Sequence, residues 1–291
     1  MQVTRIRRSL LYVPGSDAHK CQKALATAGD GVIFDLEDAV SPDKKNSARE
    51  TVAQILREAE RGKKELVVRV NQISTRLGID DLLAIIPCRP DTLIIPKACP
   101  RDITTADVVA SGLEEACGIP LGSIGFIPLL ETAAGLESLR EILGTAERIC
   151  GLQLGAEDLT KELGIVRTRE GNEIAYARSR MIMAARAFAI DAIDTPFADY
   201  HDTEGLLADL SYIKSVGMTA KTAIHPAQLD FINAAFTPTK EEVEQAKAIV
   251  AAYKESVARG LGACSLNGKM IDVPIAERAM KVVRKAELFN T

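Results

Sequence analysis

Short apolar segments recur along the chain, and each is followed by a polar or helix-like segment. Most of them are β-branched or continuous rather than alternating, which is typical of strands that are buried on both faces. They predict eight strands, at residues 9–13, 31–36, 65–70, 92–96, 124–130, 151–155, 189–193 and 218–224. Because strands that alternate with helices form βαβ units, the pattern predicts a parallel, closed (β/α)₈ TIM barrel rather than an open doubly wound sheet.

The pattern changes after Pro238. Thr239 and Glu242 have the spacing of a capping box. The apolar residues that follow, at intervals of three and four, predict one long amphipathic helix with no strand after it. A basic last turn followed by Gly260 is expected to end this helix.

The length of the chain fits one barrel and an extension. A TIM barrel takes ~250 residues, and the chain has 291. Pro274 opens a last predicted helix that runs to about residue 288. We therefore expect a TIM-barrel catalytic domain at 1–236 and a C-terminal helix and lid extension at 237–291.

Charge and cysteine usage exclude several classes of protein. With 36 basic and 40 acidic residues the net charge is −4, so nothing indicates a nucleic acid or an anionic membrane as partner. No segment approaches the ~20 apolar residues of a membrane span. Six cysteines without a CxxC pair and only three histidines argue against a zinc site. Reduced thiols in a cytoplasmic enzyme are the expected state.

Polar residues concentrate where the predicted strands end. They are Asp35, Glu37, Asp38, Arg69, Asn71, Lys97, Glu131, Glu157, Asp158, Asp194 and His225. The active site of a parallel barrel lies at these carboxyl ends. A solvated rim explains any single member, but scattered surface charge does not explain the whole set.

Glu131 and Asp158 are the candidate metal ligands. Each follows an apolar strand, and neighbouring parallel strands lie ~4.8 Å apart, so two carboxylates there can converge on one cation. Two carboxylates with substrate oxygens and water are typical ligands of Mg²⁺. The alternative is helix capping, by Asp158 itself and by Thr132 after Glu131.

Arg69, Glu37 and Asp38 are the candidate catalytic charges beside the metal. The guanidinium of Arg69 offers a planar fork to a carboxylate or to a developing enolate. At the end of a buried strand it needs an acidic partner, which Glu37 and Asp38 can supply. The alternative is a structural salt bridge at the barrel mouth.

Weaker signals come from the first strand–turn–helix segment. Tyr12 and Pro14 lead into a helix that Ser16 is expected to cap and that runs to about residue 28. Its N-terminus could hold a phosphate, with Lys20 and Lys23 further along. A plain turn with solvated lysines explains the segment equally well.

Two further residues are ambiguous. Pro196 is a candidate substrate contact or a loop-packing residue. Lys97 raises the possibility of a Schiff-base aldolase, although a neighbouring metal pair argues against it because one site rarely needs both electron sinks. No GxSxG, P-loop or GxGxxG motif supports a hydrolase, a kinase or a Rossmann enzyme.

These residues stand in an ordered series of motifs. They lie at 8–15, 34–40, 69–71, 95–97, 129–132, 155–158 and 223–226. The series resembles the citrate lyase β-subunit-like family, which contains malyl-CoA and citramalyl-CoA lyases and is related to the HpcH/HpaI aldolases. The resemblance runs from about residue 8 to the end of the chain.

The resemblance implies a Mg²⁺-dependent barrel that cleaves a 3-hydroxyacyl-CoA into acetyl-CoA and a 2-oxo acid, or catalyses the reverse condensation. It implies that Glu131 and Asp158 bind the metal and that Arg69 binds the substrate. Residues 268–274 resemble the lid of longer members, which supplies an aspartate, here Asp272, to a neighbouring subunit's site. It also implies a homo-oligomer, a trimer or a hexamer.

Three alternatives stay open at this point. A citrate lyase β subunit would act on a citryl thioester of an acyl carrier protein rather than on free CoA. A metal aldolase would act on free hydroxy-keto acids. A non-catalytic barrel scaffold belongs to a different class of protein. A scaffold does not need a set of four convergent charged residues, which here are Arg69, Glu131, Asp158 and Asp272. Glyoxylate, pyruvate and oxaloacetate are equally compatible 2-oxo products.

Overall fold

The computed structural model describes residues 7–62 and 64–289. Within them, eight parallel strands pair in chain order and close into a barrel, with β1 beside β8. The strands are β1 Ser9–Pro14, β2 Gly31–Asp35, β3 Glu65–Arg69, β4 Thr92–Ile95, β5 Gly125–Leu130, β6 Gly151–Leu154, β7 Asp191–Asp194 and β8 Ala220–Ala223. The predicted TIM barrel and its eight predicted strands are confirmed.

Helices separate the strands, as a (β/α)₈ fold requires. They are α1 Ala18–Leu25, α2 Lys45–Glu58, α3 Arg76–Ile85, α4 Pro100–Ala116, α5 Ala133–Glu137, α6 Leu139–Leu143, α7 Ala156–Leu163, α8 Ala175–Ala187, α9 Thr203–Val216 and α10 Leu229–Phe236. The cap predicted for α1 was wrong. Asp17, not Ser16, caps it by accepting a hydrogen bond from the Lys20 N–H at 3.0 Å. The N–H of Asp17 closes a turn onto the Pro14 carbonyl, so the helix begins later.

The inner surface of the barrel changes from apolar to polar at one height. A buried apolar cluster, which includes Leu10, Ile33, Val67 and Leu129, fills its interior. Side chains two residues apart on a strand point to the same face. The next inward-facing residues are therefore Tyr12, Asp35, Arg69 and Glu131. The barrel carries an apolar core below and a polar mouth above.

The chain divides into two compact units, Met1–Asn233 and Ala234–Thr291. The second unit contains α11 Lys240–Ala258, the antiparallel pair β9 Cys264–Leu266 and β10 Lys269–Ile271, and α12 Val273–Phe289. The assignment of residues 1–236 to a catalytic domain and of residues 237–291 to a lid extension stays a prediction.

Two sequence predictions for the second unit have different outcomes. The capping box is confirmed, because the Thr239 and Glu242 side chains each accept a hydrogen bond from the other's backbone N–H. The prediction of no strand after Pro238 was wrong. Asn267 and Gly268, with φ of 52° and 75°, form the tight turn of a β-hairpin. Its strands have three residues each, too short to show a pattern in the sequence.

Among residues 7–62 and 64–289, none of the helices combines the length and the apolar character that a membrane span needs.

Candidate active site

A pocket of about 420 Å³ opens at the carboxyl ends of the barrel strands. Of the predicted site residues, those that line it are Tyr12, Asp38, Arg69, Glu131, Asp158 and Pro196. Asp35 and Gln153 line it too, and the sequence did not single out either as a site residue. The barrel thus brings the predicted metal ligands, the arginine and Tyr12 to one cavity.

Arg69 is held on three sides by carboxylates. Its Nε and Nη2 donate to the two oxygens of Asp35 at 2.7 and 2.6 Å, in a bidentate pair. Its Nη1 lies 3.1 Å from Glu37 and 3.3 Å from Asp38, the two partners expected from the sequence. Asp35 is the closer partner, because parallel pairing sets it directly beside Arg69 on the next strand. The arginine is therefore fixed in orientation before any substrate arrives.

Tyr12 lies under this arginine. The guanidinium carbon of Arg69 is 5.1 Å from the centre of the Tyr12 ring, within the range of a cation–π contact. The Tyr12 hydroxyl accepts a hydrogen bond from Gln153 Nε2 at 2.8 Å. Burial raises the pKa of the Tyr12 phenol well above its ordinary value, and the phenol stays protonated near neutral pH.

Glu131 is a buried carboxylate with few compensating charges. Its Oε1 accepts a hydrogen bond from the backbone N–H of Lys97 at 2.7 Å. Burial, and next the negative charge of Glu37, raise the pKa of Glu131 to about 7. A bound cation would stabilise the charged form of such a buried carboxylate. A Cβ at Gly155 would lie 2.9 Å from Glu131 Oε2, so the glycine leaves space beside this oxygen.

Lys97 stands between the acidic groups. Its Nζ is 3.5 Å from Glu37 and 3.8 Å from Asp158. Burial alone would lower the pKa of Lys97, but the carboxylates of Glu37, Glu131 and Asp158 raise it above its ordinary value. A Schiff-base lysine must lose its proton to attack a carbonyl. The charge at Lys97 therefore argues against that alternative.

The donor set fits Mg²⁺ rather than a metal held by protein groups alone. Across residues 7–62 and 64–289, no three His, Cys, Asp or Glu side chains are grouped as metal ligands. Glu131 and Asp158 offer two carboxylates, and Mg²⁺ commonly takes one or two, with water and substrate oxygens completing its shell. The capping role considered for Asp158 is not observed, since Gly155 occupies the N-cap position of α7. Thr132 does cap α5.

Several strand-end polar residues have structural partners instead. Asp194 is fully buried, where it pairs with Arg178 and Lys221. Asn71 donates to Asp81 at 2.7 Å. His225 caps the short 3₁₀ helix Pro226–Gln228. Position at a strand end does not by itself identify a site residue.

The residues predicted to hold the CoA phosphates lie on the surface near α1. Lys20 and Lys23 are exposed, and Pro14 is half-buried at the end of β1. The Asp17 carboxylate already accepts a hydrogen bond at the N-terminus of this helix. Lys20 Nζ lies 3.5 Å from Asp17. Their binding role stays a prediction.

Asp272 belongs to the second unit. It follows β10 and accepts a hydrogen bond from the Ile275 N–H at 3.1 Å in the first turn of α12. Its predicted catalytic role stays a prediction.

Residues 8–226 match the family model described as HpcH/HpaI aldolase/citrate lyase. The chain belongs to this family. The closed barrel of eight parallel strands is a TIM-barrel fold. The chain is a carbon–carbon lyase, because relatives that match nearly its full length are named as lyases of this kind.

Three proteins serve as examples of those to which the chain is similar. Citrate lyase subunit beta of Haemophilus influenzae is 37% identical, over 97% of this chain and 98% of the relative. The mitochondrial citramalyl-CoA lyase of Mus musculus is 34% identical, over 96% of this chain and 86% of the relative. A solved structure of the protein CitE of Mycobacterium tuberculosis, in complex with magnesium, acetoacetate and coenzyme A, is 28% identical with a TM-score of 0.81. It covers 98% of this chain and all of that chain.

Proposed function

We propose that the chain is a Mg²⁺-dependent lyase that cleaves a 3-hydroxyacyl-CoA, of the malyl-CoA or citramalyl-CoA type, into acetyl-CoA and a 2-oxo acid, or catalyses the reverse condensation. The observation that carries this proposal is the pocket in which Glu131 and Asp158 stand beside the fixed cation Arg69. The magnesium and coenzyme A of the M. tuberculosis relative support the choice of metal and of thioester.

In this reaction the bond between C2 and C3 of the acyl chain breaks. Its electron pair stays on C2 and forms the enolate of acetyl-CoA, while the 3-hydroxyl loses its proton and becomes the carbonyl of the 2-oxo acid. The enolate carbon then takes up a proton. The protein must therefore stabilise a negative oxygen, remove one proton and supply another.

Glu131 and Asp158 are the residues that hold the metal in this proposal. Mg²⁺ held by these two carboxylates would supply a Lewis acid that lowers the pKa of the substrate hydroxyl. Arg69 stabilises negative charge on the reacting oxygen, and Asp35 keeps its guanidinium in place. Glu37 and Asp38 partly neutralise the positive charge of Arg69, and Glu37 also pairs with Lys97.

We assign the proton transfer at the enolate carbon to Asp272, which the lid would supply to the site of a neighbouring subunit. An aspartate carried by a closing lid can reach the methyl group and exclude water at the same moment. Asp272→Asn keeps an N-capping side chain at the start of α12, since Asn and Asp cap equally well. We expect this variant to bind Mg²⁺ and the 2-oxo acid normally, by calorimetry, and to lose turnover. Normal turnover would refute the lid role.

The test of the reaction class is a spectrophotometric lyase assay on malyl-CoA, citramalyl-CoA and citryl-CoA, with Mg²⁺ or with EDTA. We expect one thioester to release a 2-oxo acid only when Mg²⁺ is present. Glu131→Ala should lower kcat/KM by roughly 10³-fold, as for loss of a main electrostatic group. Glu137→Ala is the matched control, because the Glu137 side chain is 70% exposed.

A second candidate is a citrate lyase β subunit that acts on a citryl thioester of an acyl carrier protein. The similarity to the H. influenzae subunit, over 98% of its length, favours it. Turnover of free CoA esters by the single purified chain supports the first proposal. Turnover only of the carrier-protein thioester supports the second.

We also propose a cytoplasmic homo-oligomer, either a trimer or a hexamer. All six cysteines are free thiols, which suits a reducing compartment. Sedimentation of the purified chain measures the oligomer size.

A further inference from the structure

One lysine joins the chain segments that follow β2 and β3. Lys45 is the first residue of α2, and its side chain is half-buried. Its Nζ donates to the carbonyls of Leu36 and Glu37 at 2.8 and 2.7 Å, and to Asn71 Oδ1 at 2.8 Å. An ammonium group has three hydrogens, and here each of them has its own acceptor. Lys45 therefore links the residues after β2 to the residues after β3.

The orientation of Asn71 in this link is fixed by its other contacts. Its Nδ2 donates to the Leu36 carbonyl at 2.9 Å and to Asp81 Oδ2 at 2.7 Å. A carbonyl and a carboxylate only accept hydrogen bonds, and the ammonium of Lys45 only donates them. Turning the amide over would set its oxygen against two acceptors and its NH₂ group against a cation. Oδ1 of Asn71 must therefore face Lys45.

The segment 36–39 is held from two sides. The Asp35 carboxylate accepts hydrogen bonds from the N–H groups of Glu37 and Ala39 at 2.9 and 3.0 Å. Lys45 binds two carbonyls of the same segment. Because Asp35 fixes only the N–H groups, the position of the Glu37 side chain depends on Lys45 as well.

This segment controls one nitrogen of Arg69. The bidentate pair with Asp35 uses Nε and Nη2, and Nη1 lies 3.1 Å from Glu37 and 3.3 Å from Asp38. Among the described residues, Arg69 and Asp38 line the pocket and Lys45 does not. Lys45 can therefore act on the pocket only through the segment that it holds.

We propose that Lys45 is a positioning residue for the lyase reaction, because it keeps Glu37 and Asp38 against Nη1 of Arg69 and so keeps the arginine in one orientation. The effect on turnover rests on the proposed function, whereas the effect on the segment 36–39 does not. Loss of the ammonium removes the cation from two carbonyls and lets the segment move. A displacement of ~1 Å at a group that acts on the reacting atoms lowers the rate by roughly 10²-fold.

The experiment compares Lys45→Met with Lys44→Met. Lys44 is the matched control, since it is the preceding residue, carries the same charge and is exposed. In Lys45→Met we expect amide hydrogen exchange over residues 36–40, measured by mass spectrometry, to be roughly 10- to 100-fold faster, and exchange over β5 to be unchanged. Lys44→Met should match the wild type in both segments.

The lyase assay and calorimetry complete the comparison. We expect kcat of Lys45→Met to fall by roughly 10- to 100-fold while the Kd of Mg²⁺ is unchanged, because Glu131 and Asp158 lie outside the segment. Lys45→Gln keeps part of the hydrogen-bond donors and should give intermediate values of exchange and kcat. This variant carries the test if Lys45→Met does not fold.

Three results overturn the proposal. They are wild-type exchange over residues 36–40, an equal rise in exchange over the whole barrel, and a released segment with wild-type kcat. The second result would make Lys45 a general support of the fold, and the third would show that Arg69 keeps its orientation without the segment. If the wild type turns over no CoA ester, the proposed function is wrong, and the exchange result alone decides whether Lys45 holds the segment.

Discussion

Two clusters of charged side chains lie at the strand ends of the same barrel, and they differ in net charge. Around the pocket, five carboxylates lie near three cations, Arg69, Lys97 and Lys45. The carboxylates are Asp35, Glu37, Asp38, Glu131 and Asp158. At β7 and β8, two carboxylates, Asp194 and Asp209, meet two cations, Arg178 and Lys221, at 2.7 to 2.8 Å.

This difference in net charge distinguishes a cluster that can bind a ligand from one that only stabilises the fold. The β7–β8 cluster balances its own charge and is closed to solvent. The pocket cluster has an excess of negative charge, opens to a cavity and raises the pKa of Glu131 to about 7. A cluster of charged residues at a strand end indicates a functional site when the charges of its residues do not cancel.

The largest expected effect comes from breaking the balanced cluster. Lys221 Nζ is fully buried and donates to Asp194, Asp209 and the Thr195 carbonyl. Lys221→Met leaves buried carboxylates short of a cation, which costs about 3–5 kcal/mol of unfolding free energy. Urea unfolding followed by circular dichroism measures the loss.

The control for this prediction is an exposed pair. Lys247 and Glu244 are 2.9 Å apart with more than half of each side chain exposed. Lys247→Met should change the unfolding free energy by less than about 1 kcal/mol. Equal losses in the two lysine variants would contradict the structural role of the buried cluster.

A smaller effect is expected from the pH dependence of the unbalanced cluster. The folded pKa of Glu131, about 7, lies above its ordinary value of 4.5. The metal-free protein should therefore be most stable below about pH 4.5 with respect to this group. It should lose roughly 3 kcal/mol as the pH rises through about 7.

Urea unfolding in EDTA at several pH values tests this dependence. Glu131→Gln should remove the loss, and excess Mg²⁺ should reduce it in the wild type, because the cation favours the charged carboxylate. Glu137→Gln is the control. Parallel curves for the wild type and Glu131→Gln would show that this carboxyl titrates normally.

The smallest predicted effect concerns the fixation of Arg69. Asp35 accepts hydrogen bonds from Arg69 and also from the N–H groups of Glu37 and Ala39. Asp35→Asn weakens the bidentate pair, and we expect kcat/KM to fall about 10- to 100-fold while Mg²⁺ affinity is kept. Asp80→Asn, in an exposed pair with Arg76, is the control. Unchanged kcat/KM in Asp35→Asn would mean that Glu37 and Asp38 suffice.

The fold was predictable because strands buried on both faces are continuous apolar runs, and eight of them are visible in the sequence. Glu131 and Arg69 were predictable for a related reason, since each interrupts such a run at its end. Asp35 was placed at a strand end but was given no role, and Gln153 was not singled out. Their importance depends on the register of neighbouring strands, which a single sequence does not contain. The hairpin of the second unit was missed because its half-exposed strands have three residues each.

Lys97 has a backbone φ of 46°, a conformation that glycine adopts more easily than lysine. Its N–H holds Glu131 and its ammonium lies among the acids. Two physical requirements therefore conflict at this position: glycine would relieve the backbone, and only a basic residue supplies the charge. In an alignment of the family, a glycine or asparagine at this position would identify members whose acidic mouth is neutralised from another strand.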